Sequence, residues 1–196
     1  MKLPDDVLRD IRYRLVQGLD SRDEIFASMI DNRTEELGDD PEILVALREA
    51  IEEAFLAKKT AADSWPTVTD NDRLLAAFAA LDAEGILALE SPGDTQDDAL
   101  RRAVAFAAAR RALENPVHGY CFFTWNDMAR AIEGEGLTLA YGTFEDGSPE
   151  PVTTPTPEQK VGGAVVRACV DAGLNAEWTG ADEDFIEMPR FTWQRR

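Results

Sequence analysis

His118, Tyr120, Cys121 and Asp127 come closest to a chemical set in this sequence. A cysteine beside a histidine can supply a thiolate nucleophile, and a carboxylate can orient the imidazole. The spacing works against that use. His118 and Cys121 lie three residues apart at the head of an extended, aromatic segment, Gly119-Tyr120-Cys121-Phe122-Phe123-Thr124. A strand sends alternate residues to opposite faces, and aromatic neighbours keep a thiol neutral. No catalytic residue is assigned. The candidates for binding are Tyr120, Trp125, Asp127, Tyr141 and Trp178, aromatic or acidic side chains near expected strand ends. Such sets can line a pocket or an interface. The competing reading is that they cover the sheet, with Asp127 stabilising the first turn of a helix.

Three further clusters carry weaker signals. Gly162-Gly163 falls in the first turns of a helix, where glycine can admit an anion to free N–H groups. No phosphate-loop consensus surrounds it, and close helix packing explains it better. Asp182-Glu183-Asp184 offers several oxygens to a cation, but without an EF-hand pattern it reads as a solvated turn. Asp72 and Arg73 can wall a site under Trp65 or simply start a helix, and the helix start is preferred. Cys121 and Cys169 with the single His118 fall short of a zinc site. Neither metal nor cofactor is expected.

These residues must be positioned by the elements around them. Pro4 opens a first helix with Val7, Leu8, Ile11 and Leu15 on one stripe, ended by Gly18. Ser21 and Glu24 have capping-box spacing and begin a second, burying Ile25, Phe26, Met29 and Ile30 and stopping near Gly38. Asp40-Pro41 starts a third, lined by Leu44, Leu47, Ile51 and Phe55. Pro66 forces Trp65 into an extended conformation. Thr69 or Asp70 then caps a helix carrying Leu74, Leu75, Phe78 and Leu81 and ending at Gly85. Ile86 to Leu89 is a strand. Thr95 caps an alanine-rich helix to Glu114. Gly119 to Thr124 is a strand, Asn126 to Glu133 a short helix, and Gly136 to Gly142 a strand with Leu137, Leu139 and Tyr141 on one face. Pro149, Pro151, Pro155 and Pro157 mark an irregular loop. Glu158 to Ala172 is a helix, and Asn175 to Thr179 and Phe185 to Trp193 are the last strands, the latter broken at Pro189. The fold class expected is α+β: a three-helix N-terminal segment, residues 1–64, packed beside a mixed sheet of four to five strands with flanking helices, residues 65–196. One compact unit is expected to hold both.

The segment Trp65 to Leu74 has the pattern Trp-Pro-x-x-Thr-Asp-x-Asp-Arg-Leu. Ala77, Phe78, Leu81, Gly85 and Ile86 follow it. Gly119, Tyr120, Phe122 and Phe123 come next, then Asp127, then Leu137 to Gly142. Trp178, Gly180, Trp193, Arg195 and Arg196 close the series. In this order and spacing the chain resembles, through nearly its whole length, a bacterial family known as a domain of unknown function. Relatives in that family are expected to carry a cysteine cluster after the Gly-Ile strand and a histidine after the aromatic strand. This chain has Glu90-Ser91-Pro92-Gly93-Asp94 and Thr124-Trp125 there, so no metal or redox role carries over. The resemblance implies no substrate.

The formal charge is −18, from 38 acidic and 20 basic residues. Residues 1–64 hold 16 acids and 9 bases and the remainder 22 and 11, so the acidity is spread along the chain. Such a field repels phosphate backbones and anionic lipid, which disfavours nucleic acid and membrane as partners. It suits a basic protein partner, and self-association stays open. There is no run of 18 apolar residues, and the opening residues lack the regions of a signal peptide, so a cytoplasmic location is expected. The leading functional reading is a soluble, non-enzymatic interaction or regulatory protein. The alternative is a small-molecule binder or enzyme with a pocket near the strand ends around Tyr120, Asp127, Tyr141 and Trp178.

Overall fold

Helix starts are written locally into this chain. The computed structural model, which describes residues 3–33, 40–144 and 154–196, places a helix after each of them. Its described residues form two compact units, one within Met1–Thr67 together with Gln194–Arg196, the other within Val68–Trp193.

In the first unit, α1 spans Asp5–Gln17, α2 Arg22–Asn32 and α3 Pro41–Ala62. Gly18 ends α1 in the left-handed conformation, φ 69°, and its N–H donates to the Arg14 carbonyl. A residue with a Cβ is strained there, which is why glycine stands at this stop. Ser21 and Glu24 form a full capping box on α2. Asp40 accepts from the Glu42 N–H, with Pro41 in the first turn of α3. Val7, Ile11, Leu15, Ile25, Met29, Leu47 and Ile51 make the core, each of them buried. Full burial of one such side chain is worth about 1.5–3 kcal/mol, so the three stripes hold one another. Arg195 donates from Nε to the Gly18 carbonyl at 3.0 Å, and Arg196 donates to the Pro66 carbonyl. α2 ends at Asn32, before the expected stop near Gly38, which lies outside the described residues.

The second unit runs α4 (Asp70–Ala83), β1 (Ile86–Glu90), α5 (Gln96–Ala112), β2 (Gly119–Phe123), α6 (Trp125–Ile132), β3 (Leu137–Thr143), α7 (Pro157–Asp171) and β4 (Ile186–Met188). The sheet order is β1-β2-β3-β4, with β1 and β2 parallel and the other pairs antiparallel. The fold class is therefore α+β, with the N-terminal helices preceding a mixed sheet of four strands. One sheet face carries Ile86, Cys121, Phe123, Leu137, Leu139, Ile186 and Met188. It is covered by α4, α6 and α7, with Phe191 and Trp193 joining the cluster. The other carries Leu87, Leu89, Tyr120, Phe122 and Ala140, against Ala99 and Ala103 of α5. β1 is apolar along most of its length because helices lie over both of its faces.

Four expectations are corrected. Leu75 is exposed, since the inner stripe of α4 runs through Leu74, Ala77, Phe78 and Leu81. Pro157 is not loop but the first residue of α7, where its missing N–H has no helical partner to lose; Thr156 caps it. Pro149 and Pro151 lie outside the described residues. Asn175 to Thr179 forms no strand. Glu177 alone bridges Glu187, through reciprocal hydrogen bonds of 2.8 and 2.9 Å. The last strand shrinks to Ile186–Met188 because Pro189 has no N–H to extend the ladder.

Candidate functional site

Strand register decides which of the candidate residues can meet. Cys121 pairs with Tyr141 and Tyr120 with Gly142. Directly paired residues share a face, and neighbours along a strand do not. Tyr141 therefore lies on the Cys121 face and Tyr120 on the opposite one.

Tyr120 lies across Gly142, where an added Cβ would stand 2.5 Å from the phenol oxygen. Its ring stacks on Phe122 at 5.6 Å and tilts against Phe144 at 5.2 Å. Burial raises its pKa above the usual phenol value, and the Glu158 carboxylate adds to the shift. Tyr141 meets Trp178 edge-on, with centroids 5.5 Å apart. Both rings fill a notch left by Gly162 of α7, where a Cβ would lie 2.8 Å from Trp178 and 2.9 Å from Tyr141. The Tyr141 hydroxyl donates to the Ala181 carbonyl at 2.9 Å. Burial raises its pKa, and the nearby Trp178 indole partly offsets this. The indole N–H itself is buried without a well-formed hydrogen bond. Close packing thus accounts for Gly162, while Gly163 faces open space.

Asp127 and Trp125 belong to the start of α6. Thr124 donates to Asp127 Oδ2 from its N–H at 2.8 Å and from its hydroxyl at 2.6 Å, and its hydroxyl accepts from the Asp127 N–H. This reciprocal cap occupies the Asp127 carboxylate, which is nearly buried at 9% exposure. The Trp125 side chain is 40% exposed, and its backbone N–H donates to the Gly93 carbonyl at 3.1 Å. Asn126 donates to the Asp94 carbonyl at 3.2 Å.

Those two bonds stitch the start of α6 to the loop before α5, at the carboxyl ends of the parallel strands. From there α5 goes to one sheet face and α6 to the other. Open α/β sheets bind ligands outside the strand ends at such a switch point. Here the loop itself fills the position. Pro92 and Gly93 are buried, and a Cβ on Gly93 would lie 2.6 Å from the Ala99 nitrogen. The sequence marks Ser91 to Asp94 as a loop before the capping Thr95, but no local signal ties it to Trp125 and Asn126.

The thiols are poor nucleophiles. Cys121 is fully buried, and burial first, then the neighbouring Cys169, pushes its pKa well above normal. Burial lifts Cys169 to about 12. His118 is exposed and lies against Gly85, away from the core that holds Cys121. Asp182 accepts from the Thr156 hydroxyl at 2.9 Å and Asp184 from the Thr179 hydroxyl at 2.5 Å, each with a separate partner. Among the described residues no three of His, Cys, Asp and Glu gather as a metal site. Asp72 closes a capping box with Thr69, and Arg73 pairs with Asp70 at 2.7 Å.

A groove of about 550 Å³ in the first unit was also missed by sequence reasoning; Arg22, Phe26, Arg48 and Glu52 line it. Arg48 sits 3.9 Å over Phe26 and Arg22 4.4 Å over Phe55. Arg22 pairs with Glu52, and Arg48 lies 3.8 Å from Asp23, so the cations face their own carboxylates. The signal was the phenylalanines of two helices, each left half-buried beside an arginine.

No helix among the described residues is long and apolar enough to cross a membrane. The chain belongs to the family of the domain of unknown function DUF6891, whose model matches residues 2–196. No curated protein and no solved structure matches it.

Proposed function

We propose that this protein acts through protein–protein contact, as a non-enzymatic interaction or regulatory protein whose acidic surface receives a basic partner. The observation that carries this reading is the divergence of its chemically able side chains. Tyr120 and Tyr141 lie on opposite sheet faces, Asp127 is spent on a helix cap, and both thiols are buried and neutral. What remains outward is charge, −18 over the chain and spread across both units. Charge of that kind steers a partner of opposite sign and speeds encounter more than it fixes final affinity.

The test is capture from a lysate of the source organism on the immobilised protein, across a salt series. A basic protein retained at low salt and released as the Debye length falls from about 10 Å at 0.1 M to about 3 Å at 1 M supports the reading. Reproducible absence of such a partner counts against it. A metabolite that raises the melting temperature, and is lost on Tyr141→Phe or Trp178→Phe, would favour the pocket reading instead.

A further inference from the structure

α5 is the least buried helix of the second unit. Of its residues from Gln96 to Ala112 only Ala99 and Ala103 are buried, while Leu100 (38%), Val104 (52%) and Phe106 (51%) stand exposed. It also inverts the character of the chain, with four arginines against two aspartates in a protein of charge −18. Exposed apolar surface of this kind marks a contact site when it is contiguous.

Part of this exposed surface forms one seam, while Phe106 lies on another flank of the helix. Asp97, Leu100, Val104, Ala108 and Arg111 recur at spacings of three and four, which places them on one side of a helix. The seam has an acidic end, an apolar middle centred on Val104 and a basic end. Asp97 and Arg111 have no ion-pair partner among the described residues, unlike Asp98, which pairs with Arg101, and Arg110, which pairs with Asp82 at 2.7 Å.

We infer that α5 is the contact through which a second copy of this chain binds, the two helices running antiparallel about a two-fold axis at Val104. That arrangement sets Asp97 against Arg111 of the second copy, Leu100 against Ala108, and Val104 against its own counterpart. Each charged end meets its opposite, and Leu100 meets the small Ala108 on both sides of the axis. A parallel pairing would place like charges together at both ends. A two-fold contact must be self-complementary in this sense. Antiparallel helices also bring opposite ends of their dipoles together. Ala108 lets the helices approach to the usual 8–10 Å. The inference is independent of the basic-partner reading, because it uses a helix of net positive charge.

A seam on one helix is smaller than the roughly 1,200 Å² of a standard interface, so a weak, concentration-dependent dimer is expected. Sedimentation equilibrium from about 10 μM to 1 mM in 0.15 M salt reads it, with helix content checked by circular dichroism. The full-length protein is expected to dimerise. Val104→Glu, which puts two like charges on the axis, is expected to weaken dimerisation at least tenfold with helix content unchanged. Asp97→Arg is expected to weaken it severalfold, and the swap Asp97→Arg with Arg111→Asp to restore it. A monomer throughout the range overturns the inference. So does a dimer that neither Val104→Glu nor Asp97→Arg weakens, which would move the contact elsewhere, the flank of α5 bearing Phe106 and Leu113 included. Capture of a different protein through α5 without self-association also overturns it.

Discussion

The two buried thiols set a pH limit on stability that can be worked from the structure. Cys169 has its pKa lifted from 9.0 to about 12, and Cys121, fully buried beside it, is shifted the same way. The unfolded chain releases both protons as pH passes 9, while the native core keeps them. Above that point the native state binds more protons, so unfolding becomes easier with rising pH, at about 1.4 kcal/mol per pH unit for Cys169 until its raised pKa is reached, with Cys121 acting in the same direction. At pH 10.5 Cys169, with these two pKa values, costs about 2 kcal/mol, and Cys121 adds a loss of the same sign. Against the roughly 5–15 kcal/mol typical of a whole domain, such a loss is readable by denaturant unfolding. Below pH 8 the thiols contribute no pH dependence. Tyr120 and Tyr141, also raised by burial, add a loss of the same sign, so the comparison must isolate the cysteines. Urea unfolding followed by circular dichroism at pH 7, 9, 10 and 10.5 serves, on the native protein and on Cys121→Ala with Cys169→Ala. The variant is expected to start less stable at pH 7, because two packed sulfurs are gone, and to lose at least about 2 kcal/mol less between pH 7 and 10.5. Parallel losses in the two proteins would refute the reasoning.

Other expectations follow from single contacts. Thr124→Ala removes the cap of α6 and a hydroxyl donor to the nearly buried Asp127, and should cost about 0.5–2 kcal/mol by urea midpoint, with Thr124→Ser restoring most of it. Gly162→Ala drives a methyl to within 3 Å of Trp178 and Tyr141 and should cost about 1–3 kcal/mol with a change in tryptophan fluorescence. Its neighbour Gly163→Ala meets open space and should stabilise the helix by up to about 1 kcal/mol. The same substitution at adjacent positions must give opposite signs, or the notch is not what holds the rings.

Helix boundaries were the most legible part of the fold because caps are local. Ser21 with Glu24, Asp40 with Pro41, and Thr95 each act where their spacing places them, and Thr69, not Asp70, is the cap of α4. A hydroxyl and a carboxylate three residues apart meet through one turn and need nothing distant. β4 was harder. Ile186 to Met188 becomes a strand only by pairing with Leu137 to Leu139, nearly fifty residues earlier, and no local signal says where that pairing stops. Leu74 and Leu75 show a similar limit. Both are apolar neighbours on one helix, and only the packing of α4 against α7 decides that the first is buried.

The candidate site was legible as a set of residues and not as a geometry, for a reason that follows from period-two alternation. Tyr120 and Cys121 are one residue apart, so pairing Cys121 with Tyr141 removes Tyr120 from Tyr141 by the thickness of the sheet. A register shifted by one residue would have joined the two tyrosines. The sequence nevertheless carried a clue in Gly142 and Gly162, glycines inside a strand and a helix where the residue weakens the element. Each is matched to an aromatic body, Gly142 to Tyr120 and Gly162 to Trp178 with Tyr141. At these two positions the missing side chain leaves room that a ring occupies, whereas Gly163 faces open space. A ligand at either aromatic corner would have to displace that ring and its close contacts. A partner meeting the outward seam of α5 displaces only water, and this asymmetry favours surfaces over pockets in this fold.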